Sequence, residues 1–287
     1  RGTLALECPV RTQTHTRVSI ANPLPEDVTL RASASNKQVG VAATTLLRAN
    51  ATTEVEVRYR PLVVASSEAT LKLECAELGL YEWALRLAGT PTNPERSLAF
   101  NVPLGGRETQ LFRFTHWLDE KADYKVTFKS SGTAVATGGA FTAAASVTAP
   151  AAAAGAGSEA TLEVHFEPTA IGENIRDTLV VTSATGGEYQ CPLVGRCIPP
   201  KPQGPVDVGK GSAALPFTNV FAADADYLLA VDNPAFVVKA SERIASKKAA
   251  SIAITYKPAD ASKPKTGKLT ISCPAQTSSQ WVYYLQA

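Results

Sequence analysis

One strand pattern occurs three times along the chain: Val55-Glu-Val-Arg-Tyr-Arg-Pro61, Leu162-Glu-Val-His-Phe-Glu-Pro168 and Ile252-Ala-Ile-Thr-Tyr-Lys-Pro258. Each copy alternates apolar with other residues, ends on an aromatic and stops at a proline. That is a strand with one buried face, closed by a residue that cannot donate a ladder hydrogen bond. A second strand follows each copy: Thr70–Cys75, Thr178–Ser183 and Lys268–Cys273. A third, led by an aromatic, comes after it: Tyr81–Leu87, Tyr189–Val194 and Trp281–Leu285. A supersecondary unit repeated three times, its closing prolines 107 and 90 residues apart, predicts three β modules in tandem and weighs against a single enzyme core.

The predicted modules span residues 1–91, 92–198 and 199–287. In the first, strands are expected at Leu4–Glu7, Thr16–Ala21, Val28–Ala34, Val39–Leu47, Glu54–Tyr59, Thr70–Glu74 and Trp83–Leu87, with a turn at Asn22–Asp27. About seven short strands per module, punctuated by turn residues, is the pattern of an immunoglobulin-like β-sandwich. The Cys…Trp…Cys core of antibody domains is absent. The junctions, Gly89-Thr-Pro-Thr-Asn-Pro94 and Cys197-Ile-Pro-Pro-Lys-Pro202, are proline-rich and favour a semi-rigid, extended connection over a flexible one, so a rod of modules is expected. An alanine-rich insert at Thr142–Gly157 lengthens the second module and is expected to be a disordered loop without a packed core or chemistry.

The five cysteines, Cys8, Cys75, Cys191, Cys197 and Cys273, are odd in number and unevenly shared, which makes poor material for a disulfide framework. Cys75 and Cys273 fall where the second module has Ser183, so reduced thiols in a cytosolic compartment are expected. The Cys191–Cys197 spacing has no second Cys or His pair beside it, and no metal or cofactor is expected. The chain contains no methionine and begins at Arg1, from which we expect a piece of a longer protein without a secretory signal. No apolar run approaches the roughly 20 residues of a membrane-spanning helix.

Catalytic patterns are missing as well. His165 takes the slot filled by Arg58 and Thr255 in the sister copies, which marks an outward position. Asp224, Asp226 and Asp232 lack calcium-loop spacing and read as turn residues. The charge balance, 28 basic against 26 acidic residues, is near neutral, yet the third module holds a basic segment. Its candidate binding residues are Lys239, Arg243, Lys247, Lys248, Lys263, Lys265 and Lys268, accompanied by Lys257 and set against Glu242 and Asp260. Such a segment either attracts an acidic partner or guards an edge strand against unwanted pairing. Without interleaved aromatics it does not suit nucleic acid.

Tandem sandwiches with an apolar-x-apolar-x-aromatic-x-Pro strand, few cysteines and proline junctions resemble the Hydin-type domains (ASH, related to the major sperm protein fold, MSP) of very large ciliary proteins. The resemblance covers all three modules. It is sharpest in the third, at Pro205-Val-Asp-Val208, Leu215–Phe221, Val231–Val238 and Trp281–Leu285. In the second, Ser130-Ser-Gly132 stands where Asn22-Pro23 or Asn233-Pro234 is expected. The resemblance implies a non-enzymatic scaffold in the axonemal central apparatus of cilia or flagella. Its partners would be axonemal proteins and tubulin or microtubules, not nucleic acid or membrane. An MSP-like module capturing acidic peptide motifs through the basic surface of the third module is the alternative. An extracellular adhesion or pilus-chaperone sandwich is a third reading, which the unpaired cysteines oppose.

Overall fold

The computed structural model describes residues 2–153, 156–209, 211–258 and 265–287. Among them there is no helix, and 24 strands form six sheets. Module one contains β1 (Gly2–Pro9), β2 (Thr14–Asn22), β3 (Val28–Ala34), β4 (Val39–Val41), β5 (Thr44–Leu47), β6 (Ala51–Tyr59), β7 (Ser66–Cys75) and β8 (Gly79–Thr90). Its sheets have the orders β1-β8-β7-β3-β5 and β2-β6-β4.

Module two repeats this plan with β9 (Leu98–Pro103), β10 (Glu108–His116), β11 (Ala122–Phe128), β12 (Phe141–Ala143), β13 (Ser146–Ala149), β14 (Ser158–Phe166), β15 (Gly172–Ser183) and β16 (Gly187–Ile198). Module three does so with β17 (Gln203–Asp207), β18 (Ser212–Thr218), β19 (Ala225–Val231), β20 (Phe236–Val238), β21 (Ser241–Ile244), β22 (Ala249–Tyr256), β23 (Thr266–Cys273) and β24 (Gln276–Gln286). Each five-stranded sheet faces a three-stranded one, and the first strand of each module runs parallel to the last.

There are eight strands per module, against the seven expected, because Val39–Leu47 is two strands. β4 pairs with β6 in one sheet, the chain crosses over, and β5 pairs with β3 in the other. The alanine-rich stretch of module two turns out to hold the same device. Residues Phe141–Ala143 pair with β14, and Ser146–Ala149 pair with β11, with Ala149 fully buried. That corrects the expectation of a structureless insert: alanine packs well where aromatic rings fill the space around it, and a two-residue step is all a sheet change needs. The extra length lies mainly in residues 129–140, between β11 and β12, and in 150–157.

Alternation along the strands places one core in each sandwich. Tyr59 and Phe166 are buried, and Val57, Val164 and Ile254 are wholly inaccessible. Gly195 lets Phe166 lie against the facing strand, since a Cβ there would come within 2.3 Å of its ring. Tyr256 differs from its counterparts. It is half-buried, with its ring 5.0 Å from that of the buried Phe236 between centroids.

A second correction concerns the Asn-Pro landmark. Asn22 ends β2 and Asn233 follows β19, so the two are not equivalents. The counterpart of Asn22 is Asn219. Each donates from its side-chain amide to three carbonyls: Glu26, Leu47 and Arg48 for Asn22, and Ala223, Ile244 and Ala245 for Asn219. Asn36 is the counterpart of Asn233. Each accepts, through its side chain, the backbone N–H two residues on.

Candidate interaction surfaces

The modules meet through a repeated piece of backbone. After β1, Val10 is buried and its N–H bonds to the Thr90 carbonyl, while the N–H of Thr12 closes a tight turn on Pro9. After β9, Leu104 and Gly106 do the same with Ile198 and Pro103. The residue between has positive φ in both turns, 67° at Arg11 and 86° at Gly105, and in both it touches the following module.

At the first junction the Arg11 guanidinium lies over the Tyr189 ring, 4.2 Å from its centroid. It donates to the Glu188 carbonyl at 2.6 Å and pairs with Glu95 at 3.5 Å. Its side chain is only 11% exposed, so the charge is held in a partly desolvated cleft of about 470 Å³ with Leu62, Val63 and Pro91 among its walls. Cation–ring contacts strengthen in such places. Arg60 repeats the arrangement on Trp117, at 4.1 Å. Gly187, with φ of 81°, sits so near the Leu62 carbonyl that a Cβ would fall 1.9 Å from it. Burial raises the Tyr189 hydroxyl well above the usual tyrosine range, with Tyr124 and Glu95 adding to the shift and Arg11 opposing it.

The second junction is more apolar. Leu104, Cys197, Ile171 and Ile175 of module two pack into the core of module three, and Ile175 also packs on the core of its own module. Gly105 meets Val220, the residue after the Asn219 corner, as Trp117 follows the His116 corner. Lys247, with φ of 56°, reaches back to Glu167 at 2.8 Å.

Among the described residues, the basic side chains of this segment are spread over the edge strand β21, turns and the inner strand β23. Lys239 pairs with Glu242 at 2.8 Å, and Arg243 stands 3.9 Å from Asp224, both around the edge strand β21. Lys247 is engaged by module two. Lys248 is exposed in the turn before β22. Lys265 and Lys268 are exposed at the start of β23, inside the sheet. Lys263 lies outside the described residues. Asp224 accepts the Ser246 N–H and Asp232 the Lys268 N–H, as turn aspartates do. His165 is partly covered and shares a 2.9 Å hydrogen bond with Thr109. Among the described residues no group of three or more His, Cys, Asp or Glu is placed to hold a metal, and the five cysteines are buried thiols. No helix is long and apolar enough to cross a membrane, among the residues described.

Sequence reasoning missed the junction residues Arg11, Arg60, Trp117, Gly187 and Tyr189. Isolated Arg and Trp side chains look like ordinary surface and core. Their partners lie in another module, so no local spacing betrays them.

The chain is 32% identical over 291 aligned residues to the hydrocephalus-inducing protein homolog of Homo sapiens. It is 31% identical, over the same aligned length, to the hydrocephalus-inducing protein of Mus musculus. Each alignment covers 99% of this chain. The chain is homologous to the hydrocephalus-inducing (Hydin) proteins over its length. It spans 6% of each of these relatives. From its sequence features alone module three is most like cilia- and flagella-associated protein 47, whereas both alignments are to hydrocephalus-inducing proteins. No family model matches the chain. Among solved structures, the ASH/PapD-like domain 7 of human CEP192 covers 32% of this chain and 82% of its own, at 8% identity and a TM-score of 0.27. SSP-19, an MSP-domain protein of Caenorhabditis elegans, covers 30% and 94%, at 13% identity and a TM-score of 0.24.

Proposed function

We propose that this Hydin-like chain is a non-enzymatic scaffold and protein-interaction module of a large ciliary protein, working in the central apparatus of the axoneme. The observation that carries the reading is the homology to Hydin proteins along three sandwiches that dock end to end. The surfaces left over are sheet faces and edge strands, which can accept a partner strand or present charge to a neighbour. Axonemal proteins are the proposed partners, with microtubules a further one through the exposed cations of module three.

The microtubule contact would rest on exposed charges, screened over roughly 8 Å at physiological salt. The test is co-sedimentation with microtubules across a salt series. Binding should weaken steeply with salt, and reversing Arg243, Lys248, Lys265 and Lys268 to glutamate should abolish it with the thermal midpoint nearly unchanged. Lys247 is left alone because it serves Glu167. Failure to sediment at low salt removes microtubules from the proposal. The scaffold reading itself is tested by proximity labelling from the tagged parent protein in motile cilia, where central-apparatus proteins should be marked. Labelling confined to other compartments would refute it. The excess of lysine in module three favours capture of an acidic peptide as a second reading. A glutamate-rich peptide titrated against the chain checks it, and loss of binding in the same fourfold variant is expected.

A further inference from the structure

The end of a module that receives its predecessor is covered in modules two and three and open in module one. In module two, Gly187 and Tyr189 of the last hairpin are buried, Tyr189 to 2% exposure, beneath Arg11 and Leu62 of module one. In module three, Trp281 takes the place of Tyr189, each opposite a core aliphatic, Ile271 or Val181. Trp281 is 5% exposed and shares a cleft with Pro103–Gly106 of module two. In module one the same position is Tyr81, opposite Leu73. Here the hairpin is bare. Gly79 has no heavy atom within 4 Å of where a Cβ would stand, Leu80 is 55% exposed, and Tyr81 and Trp83, stacked with centroids 6.2 Å apart, are only half-buried. Leu24 and Leu78, both half-buried, border the same end of the core.

We infer that this end of module one is a docking face for the first-strand turn of another sandwich of the same kind, standing ahead of module one as module one stands ahead of module two. Two independent junctions within the chain already show the plan. A turn with a buried aliphatic residue followed by a positive-φ residue is laid on the corner and last hairpin of its neighbour. The Leu80 carbonyl and the Tyr81 ring are the counterparts of the Glu188 carbonyl and Tyr189 ring that hold Arg11, so the incoming turn would present a cation or a glycine there. Burying a large aromatic face and an exposed leucine is the apolar part of the gain. The inference stands on the junction geometry and does not depend on a ciliary location.

The test supplies such a neighbour covalently. In one extended chain, a second copy of residues 2–97 precedes Leu4. In another, a second copy of residues 98–202 precedes Gly2. Each join preserves the spacing of a native junction. Backbone hydrogen exchange is read at Gly79, Leu80 and Tyr81, with Leu71 and Leu85 reporting that module one is folded. At least one extension should slow exchange at the hairpin tenfold or more, towards the rates at Gly187 and Tyr189. In the first chain, Arg11→Ala in the added copy should reverse that slowing. Unchanged exchange in both chains, with Leu71 and Leu85 protected and the added module folded by its own protected amides, overturns the inference. If one added module does not fold, the other chain decides alone. If neither folds ahead of module one, the face does not accept a sandwich and the inference fails.

Discussion

His116 occupies in module two the corner that Asn219 occupies in module three. Both are fully buried, and both donate to the carbonyl four residues on, Glu120 or Ala223. Both meet a tyrosine hydroxyl at 2.8 Å, Tyr124 at His116 Nδ1 and Tyr227 at Asn219 Oδ1. The imidazole satisfies fewer backbone groups than the amide, which holds two further carbonyls and the Phe221 N–H. Removing Asn219 should therefore cost more. Each buried polar group left unpaired costs about 1–3 kcal/mol, so Asn219→Ala should lose at least about 3 kcal/mol. His116→Ala should lose less, and His116→Asn less again, because it can keep the Glu120 bond. Denaturant unfolding of the three variants gives the order.

The core aromatics make a graded series. Tyr59→Ala and Phe166→Ala should each cost about 3–5 kcal/mol, as large-to-small changes in packed cores do. Tyr256→Ala should cost clearly less, since its ring is half-buried beside Phe236. His165→Ala should stay near 0.5 kcal/mol or below, as at ordinary surface sites. Equal losses across the four would contradict the strand faces described.

Gly79 and Gly187 separate backbone strain from docking. Both have φ above 80°, so alanine at either is strained. Only at Gly187 would the new Cβ also strike the Leu62 carbonyl. Gly79→Ala should lower the stability of module one by about 1–2 kcal/mol and leave the junction intact. Gly187→Ala should in addition release Arg11 from Tyr189, seen as faster hydrogen exchange of residues 10–12 and new proteolytic cutting near Pro91. Similar behaviour of the two variants would mean the contact is incidental.

Stability should fall in alkali before the tyrosines matter. Burial raises the Cys191 and Cys197 thiols from 9.0 to about 11 in the folded chain. Below pH 9 both thiols are protonated, folded or unfolded, and their contribution is whole. From pH 9 to 11 the unfolded chain releases these protons and the folded chain does not. Unfolding is thereby favoured by up to about 1.4 kcal/mol per pH unit for each thiol. Unfolding curves at pH 8, 9.5 and 10.5 check this, with the double Cys191→Ser, Cys197→Ser variant showing the shallower decline. Buried Tyr124, Tyr227 and Tyr283, also raised by burial, add to the fall at the alkaline end.

The three-sandwich plan was legible because alternation reports directly on which face is buried. The sheet change was not, for a physical reason. In β4 and β5 the inward residues are Val39, Val41, Thr45 and Leu47, so the alternation passes through the crossover without a break in phase. The same holds for Phe141 through Ala149 and for Phe236 through Ile244. The Asn22–Asn219 equivalence was hidden by the prolines, since Pro23 in one corner is Val220 in the other and the obvious Asn-Pro match pointed to Asn233. The basic segment was visible as composition. Its dispersal over β21, a turn and β23 depends on strand order, which residue counts do not encode.

The parallel pairing of first and last strands decides how a module bears a pull. Chain enters one end of β1 and leaves the far end of β8, so tension along the array slides the two strands past each other and loads their whole ladder at once. Eight residue pairs resist in module one and six in module two. In module three the ladder has three, interrupted between Gln203 and Val206. Under load, module three is the one that yields first.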